Sequence, residues 1–169
     1  SIKEVLDADF QFTRNSSATR VNSQGLIEDM QILSGDLVSN GDFSQEGSEL
    51  ITNGDFSDGS TDWTLGTGWS IGDNKVSRTA QSGSTSTYQS VSFTANKYYK
   101  ITYDLDISGG SFLLRIGGGI LIDTTIRTTS GTYTEYILAN SGNNVFNLRA
   151  IDGSFIGSIT NVSVREVGQ

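Results

Sequence analysis

Asp104 and Asp106 stand two residues apart in a stretch that alternates between apolar and polar side chains. On a strand, positions i and i+2 share a face and lie about 7 Å apart. Two carboxylates several ångströms apart are what glycoside hydrolysis needs, one as acid and the other as nucleophile or base. Any acidic strand gives the same spacing, however, and two solvated carboxylates on a polar sheet face are the plainer reading, so an enzyme is disfavoured. Lys100 shares that face, and with ordinary register between neighbouring strands Arg115, Asn147 and Arg149 join it. Guanidinium and carboxylate groups suit paired hydroxyls, so such a face could hold a sugar. It could equally be a charge-balanced surface or a contact between subunits. The rings of Trp63, Trp69, Tyr88 and Tyr136 offer a second means, stacking against a pyranose. Trp is highly buried on average, so Trp63 and Trp69 also fit a role anchoring the ends of a core. Tyr88, in a Ser/Thr-rich stretch, is expected to be exposed.

The composition removes much other chemistry. Among 169 residues there is no Cys and no His. That excludes disulfides, thiolate nucleophiles, zinc fingers, iron–sulfur ligation, Ser-His-Asp triads and two-His metal sites. Carboxylates, four Lys and six Tyr remain for acid–base work. A net charge of −8, with 11 Lys and Arg scattered along the chain, argues against a nucleic-acid surface. No apolar run approaches the roughly 18 residues of a membrane span. Ser1 to Asp9 carry no signal-peptide pattern, and without an initiator Met the chain is expected to be a processed product or a piece of a longer polypeptide. Gly117-Gly118-Gly119 is followed by no Lys-Ser/Thr and no helical pattern; a hairpin turn between two buried strands accounts for it better than a phosphate loop. The sequons at Asn15 and Asn161 have meaning only in a secretory pathway.

The elements that must position these residues are strands. Ser, Gly, Thr and Asn fill 73 of 169 positions, a loop-rich β composition. From Tyr98 to Ile107, Tyr99, Ile101, Tyr103, Leu105 and Ile107 fall on one side and Lys100, Thr102, Asp104 and Asp106 on the other. Phe112, Leu114 and Ile116 repeat the pattern, as do Phe146, Leu148 and Ala150, and then Val162 and Val164. Clusters of Gly, Ser, Asn and Asp bound each stretch. The spacing predicts an all-β, antiparallel jelly-roll sandwich over residues 49–169, with about eight to ten strands. Residues 1–48 have too few large apolar side chains for a core of their own; they are expected to form an extended β arm that needs a partner surface. Leu37–Ser44 is echoed by Leu50–Ser57, thirteen residues on, and each copy reads as a short strand running into an Asn-Gly turn pinned by a Phe.

These residues carry a resemblance. Glu49 to Trp63, ELITNGDFSDGSTDW, and then Gly68-Trp69-Ser70-Ile71 resemble the opening of carbohydrate-binding jelly-roll modules, whose first strand reads N-G-x-F-E and is soon followed by Trp. Ile159 to Val167 resembles their closing I-D-D/N-V-S-V strand. Asp9 to Asn22, with Gly25-Leu26-Ile27-Glu28, is similar to a stretch of bacteriophage virion proteins, especially tail-associated ones, that precedes an N-G-D-F jelly roll. The modules use a Glu after the Phe and one or two Asp in the last strand to help hold a structural calcium. Here those positions are Ser44 or Ser57 and Thr160-Asn161, which leaves Asp55 and Asp58 with backbone carbonyls.

The resemblance implies a non-enzymatic virion module, on a tail fibre, tail-associated or head-surface protein, that binds host-surface carbohydrate. The expected partners are glycan, other virion proteins and further copies of the chain, a trimer among the options. No cofactor, nucleic acid or membrane insertion is expected. The alternative is a structural decoration, spacer or assembly domain that binds no sugar, since jelly rolls host many functions.

Overall fold

The structure, a computed structural model, describes residues 19–21, 23–29 and 45–168. The regular elements among them are all strands: β1 (Thr19–Val21), β2 (Ile27–Asp29), β3 (Glu46–Glu49), β4 (Trp69–Gly72), β5 (Lys75–Arg78), β6 (Thr85–Ser90), β7 (Tyr98–Gly109), β8 (Phe112–Gly117), β9 (Ile122–Asp123), β10 (Gly131–Leu138), β11 (Val145–Ala150) and β12 (Ile156–Val167). The chain divides into two compact units, Ser1–Val38 and Ser39–Gln169. In the first, β1 and β2 pair antiparallel, with Thr19 opposite Asp29 and Val21 opposite Ile27. Most of the Asp9–Asn22 motif, the repeat copy Leu37–Ser44 and the sequon at Asn15 lie outside the described residues.

The second unit is an antiparallel jelly-roll sandwich. One sheet runs β10-β7-β12-β5-β4, with β3 also paired to β12; the other runs β6-β11-β8-β9. The period-2 alternation is the cause. Tyr99, Ile101, Tyr103 and Leu105 of β7 are buried, and so are Phe112, Leu114 and Ile116 of β8 and Phe146, Leu148 and Ala150 of β11, all within one core. Tyr103 and Phe112 meet across the two sheets with ring centroids 5.8 Å apart.

The sandwich begins earlier than the apolar pattern predicts. Glu46 and Glu49 of β3 pair with Val167 and Arg165 of β12, yet β3 reads Glu-Gly-Ser-Glu and has no apolar face to announce it. Its hold is polar: the Glu49 carboxylate accepts the backbone N–H groups of Ile51 and Val164 and the Ser163 hydroxyl. Leu50–Ser57 follows β3 as a turn, not as a strand of its own. Asn53 (φ 49°) and Phe56 (φ 58°) adopt left-handed conformations there. For a Phe that backbone costs on the order of 1 kcal/mol or more. Burial of its ring, 1% exposed and 5.2 Å from Trp63, offsets the cost. Gly54 is required where it stands, because a Cβ would strike the Val162 carbonyl oxygen, while the Gly54 carbonyl accepts the Val162 N–H at 2.9 Å.

One cation is deep in the sandwich. Arg78 is 1% exposed and donates to the carbonyls of Gln81, Gly83, Asp152 and Phe155 and to the Thr85 hydroxyl. Every guanidinium nitrogen is engaged, which is what makes burial of the charge tolerable. Desolvation lowers its pKa, with the Asp152 charge opposing.

Two substitutions test this account in denaturant unfolding. Phe56→Ala should cost about 3 to 5 kcal/mol, and a loss below about 1 kcal/mol would place the core elsewhere. Arg78→Lys keeps the charge and loses the fork of donors; it should cost at least about 2 kcal/mol, and a neutral result would remove Arg78 as the clamp on its two loops.

Candidate functional site

The outer face of the four-stranded sheet collects a row of side chains from four strands. In the observed register Asn147 of β11 stands opposite Tyr88 of β6 on one side and Arg115 of β8 on the other, and Arg115 stands opposite Asp123 of β9. Alternation sends these residues outward while their neighbours Thr87, Gln89, Leu114, Ile116, Phe146 and Leu148 go into the core. Three inter-strand spacings make the row about 14 Å long. Tyr88 is 39% exposed. Arg149 of β11 lies one pair along, opposite Ser86 and Leu113, and donates to the Ser84 hydroxyl at 3.0 Å.

Polar residues that face inward from β6 hold this edge of the sheet in place. The Thr87 hydroxyl donates to the Thr64 carbonyl at 2.9 Å. The Gln89 side-chain amide takes both backbone groups of Thr52, accepting its N–H at 3.0 Å and donating to its carbonyl at 2.9 Å. Thr64 also exchanges two backbone hydrogen bonds with Tyr88 itself, which fixes the strand beneath the exposed ring. At the far end Arg115 and Asp123 form a two-point ion pair, Nε to Oδ1 at 2.5 Å and Nη2 to Oδ2 at 2.6 Å. Hydrogen bonding to Asp123 raises the Arg115 pKa, and the same bonds from Arg115 hold the Asp123 carboxyl below its ordinary value. Asn147 donates to the Arg115 backbone carbonyl at 3.2 Å. A half-exposed pair of this kind adds little stability; its effect is to fix two polar groups side by side.

The single face expected for the charged residues is two faces. Lys100, Asp104 and Asp106 belong to β7, in the other sheet, so sandwich closure separates them from Arg115, Asn147 and Arg149. Tyr136 of β10 stands opposite Lys100 on that second sheet and is 58% exposed. Asp104 accepts from Thr132 Oγ1 at 2.5 Å and Asn161 Nδ2 at 2.6 Å, and these bonds, Thr132 first, hold its pKa low. That is the opposite of a general acid's requirement. Asp106 accepts from the Ser130 hydroxyl, and Lys100 pairs with Glu46 at 2.5 Å.

Trp63 and Trp69 do not reach a ligand surface. They are 5% and 6% exposed, Trp63 packed on Phe56 and Phe146 and Trp69 on Phe155. Their indole N–H groups donate to the Asn53 carbonyl and the Thr85 hydroxyl, so the turns bury both rings and satisfy them. Of the positions expected for calcium, Asp55 and Asp58 are both exposed in the turn that follows β3. Asp55 Oδ1 caps the N–H and hydroxyl of Ser57, Asn161 is engaged with Asp104, and no cluster of three or more acidic ligands occurs among the described residues.

Asp123 was not among the candidates drawn from sequence. The signal was present in the Gly117–Gly119 turn, because a hairpin there returns the chain against β8. The returning strand, however, is two residues long with Asp123 exposed, where a buried strand was expected. Gly118 (φ 99°) makes the turn, and a Cβ on it would strike Asn144.

No family model matches this chain, and no curated protein matches it. Among solved structures it is similar to the enzymatically active domain of tailspike protein 4 from bacteriophage CBA120, with a TM-score of 0.51, 12% identity, and coverage of 70% of this chain and 21% of that one. This chain thus spans about a fifth of that domain's length. It also matches a structure described as CBM4 (TM-score 0.45, 12% identity, 76% of this chain and 99% of that one). The CBM1 module of BiXyn10A matches as well (0.38, 14%, 75% and 93%). At 12% identity the likeness to the tailspike domain is one of fold.

The ion pair in the row sets a pH window. Because the folded-state pKa of Asp123 is depressed, the pairing is complete above the ordinary aspartate value of 3.8 and is lost as pH falls through the lower folded value. A carboxyl NMR titration should place the Asp123 midpoint below 3.8, and a midpoint above it would show that Arg115 is not the partner.

Proposed function

We propose that this chain is a non-catalytic module that binds carbohydrate on the outer face of its four-stranded sheet. We further propose that a phage particle carries it, on a tail fibre, tail-associated or head-surface protein, toward glycan on the host. The observation that carries the reading is the row Tyr88, Asn147, Arg115 and Asp123, one residue from each of four neighbouring strands. An exposed ring at one end gives a pyranose a surface to stack on, and a fixed guanidinium–carboxylate pair at the other can donate to and accept from vicinal hydroxyls. Separation of Asp104 and Asp106 from the arginines, and the low pKa of Asp104, support binding without hydrolysis. The virion assignment rests on the front-segment resemblance and agrees with the fold likeness to a tailspike domain. On a particle with many copies, or in a trimeric fibre, weak single sites would combine through high effective concentration.

A glycan array with the purified chain, beside its mass by light scattering, tests the proposal. Binding should fall about five- to tenfold in Tyr88→Ala and fall again in Arg115→Ala, while Asp104→Asn leaves it unchanged. Silence across the array from folded protein would favour a structural spacer or assembly role, the reading that burial of Trp63 and Trp69 leaves standing.

A further inference from the structure

Asp123 belongs to two surfaces. It closes the sheet-face row through Arg115, and it lines a depression of about 440 Å³ at the open side of the sandwich, between the edge strands β9 and β10. That volume is in the range of small-ligand sites. Thr124, Thr125 and Asn140 contribute polar groups to it, and Tyr136 and Leu138 contribute exposed apolar surface from the other sheet. The floor is braced: Glu135, also in the lining, is paired with Arg127 at 2.5 Å, and Arg127 is tied by backbone hydrogen bonds to Phe112 of the opposite sheet. The Arg127 guanidinium also lies 4.3 Å from the Tyr133 ring centroid. The two sheets are thereby fastened where the depression crosses between them.

We infer that the carbohydrate site runs round the β9 edge, from Tyr88 across Asp123 to a second stacking ring at Tyr136, and that its ligand is a neutral oligosaccharide long enough to touch both rings. This rests on the carbohydrate-binding reading above. The path adds a sheet-to-sheet separation of about 10 Å to the row of about 14 Å, beyond the reach of a mono- or disaccharide. Neutrality follows from the lining. Asp123 and Glu135 are its only ionisable acids, no Lys or Arg lines it, and the chain carries a net charge of −8. A uronate would meet two carboxylates there, and the guanidiniums nearest to it, Arg115 and Arg127, are already held by those same carboxylates.

Titration calorimetry against ladders of neutral cello-, manno- and galacto-oligosaccharides, and of oligogalacturonate, tests this. In at least one neutral ladder the Kd should tighten with length. Tyr136→Ala should weaken the longest chains about fivefold and leave the shortest unaffected, and Tyr136→Phe should bind as the parent does. Tyr88→Ala should weaken every length. Neutral chains that need Tyr88 but show no gain with length, or no loss in Tyr136→Ala, would overturn the extended site and spare the sheet-face reading. Oligogalacturonate binding more tightly than the neutral ladders would overturn the neutral class. Absence of binding by every ladder, or binding indifferent to Tyr88→Ala, would overturn both. Tyr136 is exposed, so its variants should keep the parent's melting temperature, which separates a lost contact from a lost fold.

Discussion

Register in the four-stranded sheet decides which side chains meet solvent. A slip of one residue between β11 and β8 would turn Asn147 and Arg149 into the core and push Phe146 and Leu148, both 0% exposed, into water. Exposing each of those apolar side chains costs about 1.5 to 3 kcal/mol, before any charge for burying an arginine. The core therefore enforces the row as strictly as it enforces itself. The outward residues are a by-product of the inward ones, and their alignment needs no interaction of its own.

What the core cannot fix is the edges, and buried polar groups do that work. Gln89 fastens the Thr52 backbone to β6, Thr87 fastens Thr64, and Arg78 gathers the carbonyls on either side of two turns. Asn143, 3% exposed, donates to the Ile120 carbonyl and so holds the β8–β9 turn from below. Each is satisfied by backbone carbonyls or N–H groups, with the Thr85 hydroxyl added for Arg78, which converts a desolvation cost into a positional constraint. The site row begins and ends beside such anchors, at Tyr88 over Thr64 and at Asp123 beyond the Gly117–Gly119 turn.

The sandwich was legible because large apolar residues at period two, in β7, β8 and β11, leave few other ways to bury them. β3 was not legible, since a strand held by the carboxylates of Glu46 and Glu49 has no hydrophobic signature. The outward direction of Tyr88, Arg115, Asn147 and Arg149 was readable from local alternation. The sheet to which each strand belongs was not, because strand order is set by long-range closure, and so Asp104, Asp106 and Lys100 were grouped with residues on the opposite face. The tryptophans divided two readings that sequence left open: an indole beside a Gly-rich turn can point either way, and here the Asn53 carbonyl and the Thr85 hydroxyl receive the N–H groups inside.

The central claim is about a place, so its most direct test is a map. Backbone and side-chain NMR of the isotope-labelled chain, titrated with the array's strongest neutral glycan, reports which residues sense the ligand. The account predicts that the largest saturable shifts fall on Tyr88, Arg115, Asp123 and Asn147, with Asp104 and Asp106 unmoved. Shifts centred on the outer face of the six-stranded sheet around Asp104 would contradict it.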